Sequence, residues 1–290
     1  MKKTSFGLLE NVNLAPICSM KAGGNARFLA EPKSESELVD ALRFFKEQNI
    51  KYIVVGKCSN LIFPDGTFDG AVILTEGIKG LSIEGDIITA NCGETLSALA
   101  TFACENAITG FEFSHGIPGC VGGGVFMNAG AYGGEISQIF ISGRFIDKDL
   151  NIVTLSSDEM QFGYRKSVMV DNELILVSAQ FKGADGSKNE ILMKMNELMA
   201  KRRASQPLQY PSCGSAFKRP TGYYAGALIE QCGLKGHSIG GAQVSEKHAG
   251  FVINKGGATA TDVINLLSYV SDKVFEETGV RLEPEIRIIY

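Results

Sequence analysis

Several familiar signatures are missing from this 290-residue chain, and each absence closes off a class of function. No two cysteines are spaced C-x-x-C. The seven present (Cys18, Cys58, Cys92, Cys104, Cys120, Cys213, Cys232) are scattered and odd in number, as expected of reduced thiols in a cytosolic protein. The three histidines, His115, His237 and His248, stand far apart without E-x-x-H spacing, so no metal site is expected. No basic run exceeds Lys201-Arg202-Arg203, and the net charge is -4, which argues against a nucleic-acid surface. No stretch is long and apolar enough to cross a bilayer, and the opening MKKTSFGLLENV lacks the apolar segment of an export signal, so a soluble, unexported chain is expected. Neither G-x-G-x-x-G nor a complete P-loop occurs: Gly56-Lys57 lacks the upstream glycine and the following Ser or Thr. Internal repeats and low-complexity tracts are also absent.

What is present reads as an ordinary globular protein. Apolar residues make up 44% and charged residues 21%, and the length suits two domains. A helix is predicted over 34–49, opened by a capping box of Ser34 with Glu37 and carrying Leu38, Ala41, Leu42 and Phe45 on one face. It leads into the strand Tyr52-Ile53-Val54-Val55. Further β-branched runs at 72–75, around Gly85-Asp86, and in ISGRFID, NIVTL and ELILVSAQF flank an amphipathic helix near 94–106. A helix over 187–203 places Arg202 and Arg203 in its last turn, where cations complement the dipole. Pro207 and Pro211 then mark a boundary between a first domain, 1–204, and a second, 205–290. The second carries helices near 223–232 and 260–277, the latter with Val263, Leu266, Leu267, Val270 and Val274 on one face, and a final strand in EIRIIY. The fold class is mixed α+β.

Nine of the 25 residues from Gly110 to Gly134 are glycine, interleaved with Ile117, Val121, Val125, Phe126 and Met127, which a flexible linker would expose. Glycine lets main-chain N–H groups approach a ligand closely and hold phosphate oxygens. A shorter loop, Gly56-Lys57-Cys58-Ser59-Asn60, follows directly on the strand YIVV. Either loop alone is readable as a tight turn; two such loops suit the pyrophosphate of a dinucleotide.

The motifs GGNARF (23–28), VVGKCSNL (54–61), GIPGCVGGGVFMNAGAYGGEI (116–136), FGYRKS (162–167), RRASQP (202–207), YPSCGSAFKRP (210–220), IGGAQVSEKHAGFVIN (239–254) and LEPEIR (282–287) come in an order that resembles the MurB-type UDP-N-acetylenolpyruvoylglucosamine reductases over nearly the whole chain. The resemblance implies an FAD-binding domain of the PCMH, or vanillyl-alcohol-oxidase, type made of two α/β subdomains, followed by a smaller α+β substrate domain whose last strand, about 280–290, packs back on the first. It implies non-covalent FAD, NADPH as co-substrate, and reduction of an enolpyruvyl UDP-sugar in cytoplasmic peptidoglycan precursor synthesis. The short length resembles the class without a tyrosine loop.

Carried over residue by residue, the resemblance places Val55, Gly56, Lys57, Cys58, Ser59 and Asn60 with Pro118, Gly119, Gly122, Gly123, Asn128, Gly130 and Ala131 around the cofactor. It places Tyr164, Lys218, Lys247 and Arg287 at the substrate, and Tyr223, Tyr224, Gln243 and His248 around its pocket.

The chemistry explains the catalytic assignments. Hydride addition to a double bond conjugated with a carboxylate builds negative charge that preorganised donors must stabilise, and the resulting carbanionic carbon must be protonated. Arg165 offers a guanidinium fork that cannot lose its proton. The resemblance implies that Glu285 faces the substrate carboxylate, so it is expected to favour its protonated form, because a like charge raises its pKa. Arg287 lies one strand period away, on the same face. Ser215 matches the proton donor of G-S-x-F-K. Cys213 is its rival, a better acid that regular strand alternation would place on the same face.

Two positions depart from the family pattern: Cys58 replaces the second glycine of the phosphate loop, and Arg219 stands where many relatives carry asparagine. A flavin-dependent alcohol or sugar oxidase of the same fold, and a non-catalytic nucleotide-sugar-binding protein, are the alternatives.

Overall fold

A computed structural model describes residues 4–290. The chain forms two compact units, each assembled from separate segments. Unit 1 holds residues 28–57 and 70–202 together with residues 4–9. Unit 2 holds 10–27, 58–69 and 203–290. The contiguous division 1–204 and 205–290 thus differs from the observed one in two segments, 10–27 and 58–69, besides a two-residue shift of the boundary to 203. Both cluster with the C-terminal part because Met20, Ala22 and Ile62 are buried in its core.

Unit 1 begins its α/β part with helix α1 (Glu35–Glu47), whose buried face is the predicted Leu38, Ala41, Leu42 and Phe45. Ser34 caps it by accepting from the Glu37 N–H at 3.2 Å. The box is not closed on Ser34, however: the Glu37 carboxylate accepts from the Lys33 N–H instead, at 2.8 Å. The strand Tyr52–Val55 pairs in parallel with residues 71–74 in register Tyr52 to Ala71. A five-stranded antiparallel sheet follows, in the order Ile152–Ser156, Phe140–Ile146, Ile175–Lys182, Ile87–Asn91, Leu81–Glu84. Helix α2 (Leu96–Glu105), capped by Thr95, and the six-residue α3 (Val121–Phe126) bury their apolar residues in the same core as α1. Helix α4 (Lys188–Ser205) adds Ile191 and Met195 to it.

Unit 2 is a four-stranded antiparallel sheet, order Ser212–Ser215, Phe251–Asn254, Ala242–Val244, Ser238–Ile239. It shares a core with helices α5 (Ala225–Gln231) and α6 (Ala260–Thr278). All five predicted apolar-face residues of α6 are buried. The start of α6 is held from residue 65: the Asp65 carboxylate accepts from Ala260 N–H (2.6 Å), Thr261 N–H (2.8 Å) and Thr261 Oγ1 (2.6 Å). The final strand is short, Arg287–Ile288, and pairs in parallel with Leu61–Ile62, itself part of unit 2. No described helix is long and apolar enough to cross a membrane.

Candidate functional site

The two glycine-bearing loops meet at Gly56. Strand 52–55 ends in buried Val55, whose carbonyl accepts from Thr75 Oγ1 at 3.2 Å. The chain then turns so close to Cys120 that a Cβ on Gly56 would lie 3.2 Å from the Cys120 Cβ. A side chain there would have to push Cys120 aside, so glycine suits the position. The Lys57 N–H points at the Cys120 sulfur, and burial keeps the Cys120 thiol above its ordinary pKa. Burial also pushes Cys92 up to about 12, so both thiols pack as neutral groups.

The glycines of α3 divide by face. Gly122 lies against Cys92 and Gly124 against Leu96, whereas a Cβ on Gly123 would meet open space. Gly122 N–H donates to Cys92 C=O at 2.9 Å, so that amide is engaged within the protein. Gly123 thus presents an exposed, side-chain-free stretch of main chain, the kind of surface a phosphate-bearing group can approach closely.

Cys58 occupies a left-handed conformation, φ +46°, which normally favours glycine. Its departure from the phosphate-loop pattern is accommodated by burial: Cys58 is 3% exposed and hydrogen-bonds side chain to side chain with buried Cys18. That bond, opposed by burial and helped by Lys21, holds the Cys18 thiol below its ordinary pKa. Nothing in the sequence pattern signalled Cys18.

Arg165 sits at the tip of a tight turn. Gly163 and Lys166 exchange main-chain bonds (Gly163 N–H to Lys166 C=O, 3.0 Å; Lys166 N–H to Gly163 C=O, 3.2 Å), leaving Tyr164 and Arg165 between them. Arg165 takes φ +54°, its guanidinium carbon lies 5.0 Å from the centre of the exposed Tyr164 ring, and Nη2 donates to Gly130 C=O at 3.3 Å. Asn128, expected at the cofactor, has a fully buried side chain: Nδ2 donates to Gly163 C=O (3.1 Å) and Oδ1 accepts from Ser137 N–H (2.9 Å). Ser167, the last residue of FGYRKS and given no role there, is also fully buried and donates to Phe126 C=O at 2.8 Å. Gly130 and Ala131 form a small hairpin with Gly134 and Glu135.

In unit 2 several of the remaining predicted residues lie on neighbouring extended segments. Glu285 N–H donates to Ala216 C=O (2.9 Å), Lys218 N–H to Glu283 C=O (2.8 Å) and Arg287 N–H to Asn60 C=O (3.1 Å). The Asn60 side chain donates in turn to Glu285 C=O at 3.1 Å. Segments 60–62, 283–289 and 215–218 therefore run side by side. Ile286 is buried and Glu285 half-buried, so the expected alternation holds in LEPEIR.

The alternation fails in YPSCGSAFKRP. Gly214 is left-handed (φ +76°) and the register shifts between Ser212 and Ser215, which reverses the face: Ser215 is exposed while Cys213 is 3% exposed. The Cys213 thiol donates to Leu61 C=O at 3.5 Å, and burial pushes its pKa up to about 12. The expectation that Cys213 shares the Ser215 face is corrected by this bulge.

Lys218 forms an ion pair with Glu283, and Lys247 Nζ donates to Arg203 C=O at 2.6 Å. His248 accepts from Gly250 N–H (3.1 Å), with its pKa pushed down chiefly by burial. Gln243 donates to Gly236 C=O (3.1 Å). Tyr223 and Tyr224 are exposed, and the Arg219 guanidinium stacks 4.0 Å from the centre of the Tyr224 ring. No cluster of three or more His, Cys, Asp or Glu side chains suited to a metal ion occurs among the described residues.

Residues 206–289 match the family described as "UDP-N-acetylenolpyruvoylglucosamine reductase, C-terminal domain", and residues 26–156 match "FAD binding domain". The UDP-N-acetylenolpyruvoylglucosamine reductase of Latilactobacillus sakei is 47% identical over 285 residues, covering 98% of this chain and 94% of that one. The protein of the same name from Caldicellulosiruptor bescii is 46% identical over 291 residues, covering 100% and 93%. The crystal structure of the Thermus caldophilus reductase superposes with a TM-score of 0.84 at 31% identity, covering 98% of this chain and 100% of that one. The chain thus carries an FAD-binding domain of the PCMH type and an α+β C-terminal domain.

Proposed function

The chain belongs to the UDP-N-acetylenolpyruvoylglucosamine reductase family, and from that premise we propose that it reduces the enolpyruvyl group of UDP-N-acetylenolpyruvoylglucosamine to UDP-N-acetylmuramate, with NADPH as the source of hydride. Its product would feed peptidoglycan synthesis in the cytoplasm, and so cell shape and division.

Non-covalent FAD, when bound, carries hydride from NADPH to the substrate double bond. The residues assigned to hold it are Val55 to Asn60, with Pro118, Gly119, Gly123, Gly130 and Ala131. The close approach at Gly56 and the open face at Gly123 support this assignment; the Gly122 amide and the Asn128 side chain are occupied within the protein.

Arg165 holds the substrate carboxylate and stabilises the negative charge that develops next to it. Glu285, protonated, donates a hydrogen bond to that charge, and Ser215 delivers the proton to carbon. Tyr164, Lys218, Lys247 and Arg287 bind the remainder of the UDP-sugar. The observation that carries the reading is the Glu285 N–H to Ala216 C=O bond, which sets the carboxyl residue beside exposed Ser215 in a chain that matches reductases over its length. Burial of Cys213, which pushes its pKa up to about 12, favours Ser215 over its rival.

The test is spectroscopic. The purified protein is expected to be yellow, to bleach with NADPH under anaerobic conditions, and to recolour only when the enolpyruvyl UDP-sugar is added. Recolouring by oxygen with a sugar or alcohol substrate, and none with the UDP-sugar, would overturn it.

A further inference from the structure

We propose that Asn128 is a positioning residue for Arg165: its buried carboxamide fixes the Gly163 carbonyl, and through it the turn that aims the guanidinium. The inference rests on the assignment of Arg165 to the substrate carboxylate.

The turn is strained in itself. A non-glycine residue at φ +54° is in a sparsely populated conformation that persists only where its surroundings over-determine it. Gly163 C=O receives two donors, Lys166 N–H from within the turn and Asn128 Nδ2 from outside it. The carboxamide cannot rotate, because its oxygen is taken by Ser137 N–H at 2.9 Å. A flipped amide would set oxygen against oxygen and N–H against N–H. Asn128 is itself left-handed, φ +43°, and its side chain has no contact with solvent, so the geometry is fixed at both ends.

Two flanking contacts complete the clamp. Ser167 Oγ donates to Phe126 C=O, and Arg165 Nη2 donates to Gly130 C=O. Residues 126, 128 and 130 of the glycine-rich stretch thus grip 167, 163 and 165. Without the Asn128 donor, Gly163 C=O keeps only its turn bond and the backbone is free to relax to negative φ, which redirects the Arg165 Cα–Cβ bond.

Asn128→Asp keeps an oxygen for Ser137 N–H and replaces the donor facing Gly163 C=O. Its kcat/KM for the enolpyruvyl UDP-sugar is expected to fall about 10- to 100-fold, with bound FAD and the rate of flavin reduction by NADPH within about two-fold of wild type. In an Arg165→Ala background the same substitution is expected to change kcat/KM by less than about two-fold, since the residue through which it acts is gone. An equal loss in both backgrounds, or loss of FAD from Asn128→Asp, would overturn the inference while leaving Arg165 in place. Full turnover in Arg165→Ala would instead remove the assignment of Arg165, and this inference with it. Should Asn128→Asp not fold, Ser167→Ala breaks the adjoining bond of the clamp without adding charge. It is expected to give the same pattern at about three-fold, and an unchanged or background-independent kcat/KM would overturn the inference equally.

Discussion

The two units hold their assigned residues by different means. In unit 1, Arg165 stands on a left-handed turn gripped by side chains, Asn128 and Ser167, that reach across to it. In unit 2, Ser215 and Glu285 are set by main-chain pairing: Ala216 N–H to Gly250 C=O at 2.8 Å, Glu285 N–H to Ala216 C=O at 2.9 Å and Arg287 N–H to Asn60 C=O at 3.1 Å. A main-chain ladder is insensitive to most side-chain replacements, whereas a side-chain clamp fails when one atom changes. Unit 2 should therefore be vulnerable chiefly where its backbone is unusual or where the hydroxyl proposed as proton donor, that of Ser215, is removed.

The largest effect should come from that hydroxyl. Ser215→Ala is expected to bind FAD and accept hydride from NADPH normally, while turnover with the UDP-sugar falls about 10²- to 10⁴-fold. Stopped-flow absorbance separates the two half-reactions, and normal acceptor turnover in this variant would deny Ser215 the proton-donor role. Next is the backbone beneath it. Gly214 has open space around its missing Cβ, so Gly214→Ala introduces no clash and isolates the cost of a side chain at φ +76°, about 1–2 kcal/mol in chemical denaturation. If the bulge straightens instead, Cys213 comes to the surface and becomes open to alkylation, which distinguishes the two outcomes.

A smaller effect is expected at Asp65, remote in role from the chemistry. Burial pushes its pKa up, but the hydrogen bonds from Thr261 and Ala260 more than offset this and hold it below the usual carboxylate range. A carboxylate with a depressed folded-state pKa contributes stability that is fully present above the unfolded value and is lost as pH falls through the folded one. Asp65→Ala should thus cost about 1 kcal/mol at neutral pH, and the difference from wild type should shrink below roughly pH 4, with acceptor turnover kept. The smallest effect belongs to Glu283→Gln, which breaks an exposed ion pair with Lys218. Its stability should stay within about 0.5 kcal/mol of wild type by the same denaturation assay. A large loss there would mean that unit 2 depends on its surface charges after all, and would erase the contrast between the units.

Much of this was legible in the sequence because periodicity is local. The buried faces of α1 and α6, the strand 52–55 and the antiparallel strands of the middle region follow from apolar spacing within a few residues. The two glycine loops were legible from their composition, but their approach at Gly56 and Cys120 was not. What escaped was set by contacts distant in the chain or by single dihedral angles. The resemblance implies a last strand that returns to residues of 1–204, and it pairs with Leu61–Ile62; that this draws 58–69 into unit 2 has no sign in any window of sequence. The reversal between Cys213 and Ser215 depends on one glycine angle. Asn128 lies in a motif that points to a cofactor, yet its carboxamide faces the protein interior. Cys58 looked like a defect in a phosphate loop until its partner Cys18, forty positions earlier, was in view.

The segmented build of unit 2 also dictates an order of events during synthesis. Asn60 leaves the ribosome early, but its bond to Glu285 spans 225 positions and has to wait for nearly the whole polypeptide. Closing so large a loop is slow, because the entropy it loses is recovered only once the distant strands have met. Until then Met20, Ala22 and Ile62 have no permanent cover. A nascent chain of this kind exposes sticky surface for as long as translation lasts, and truncation by even a dozen residues at the carboxyl end should leave its amino-terminal third a substrate for chaperones and proteases.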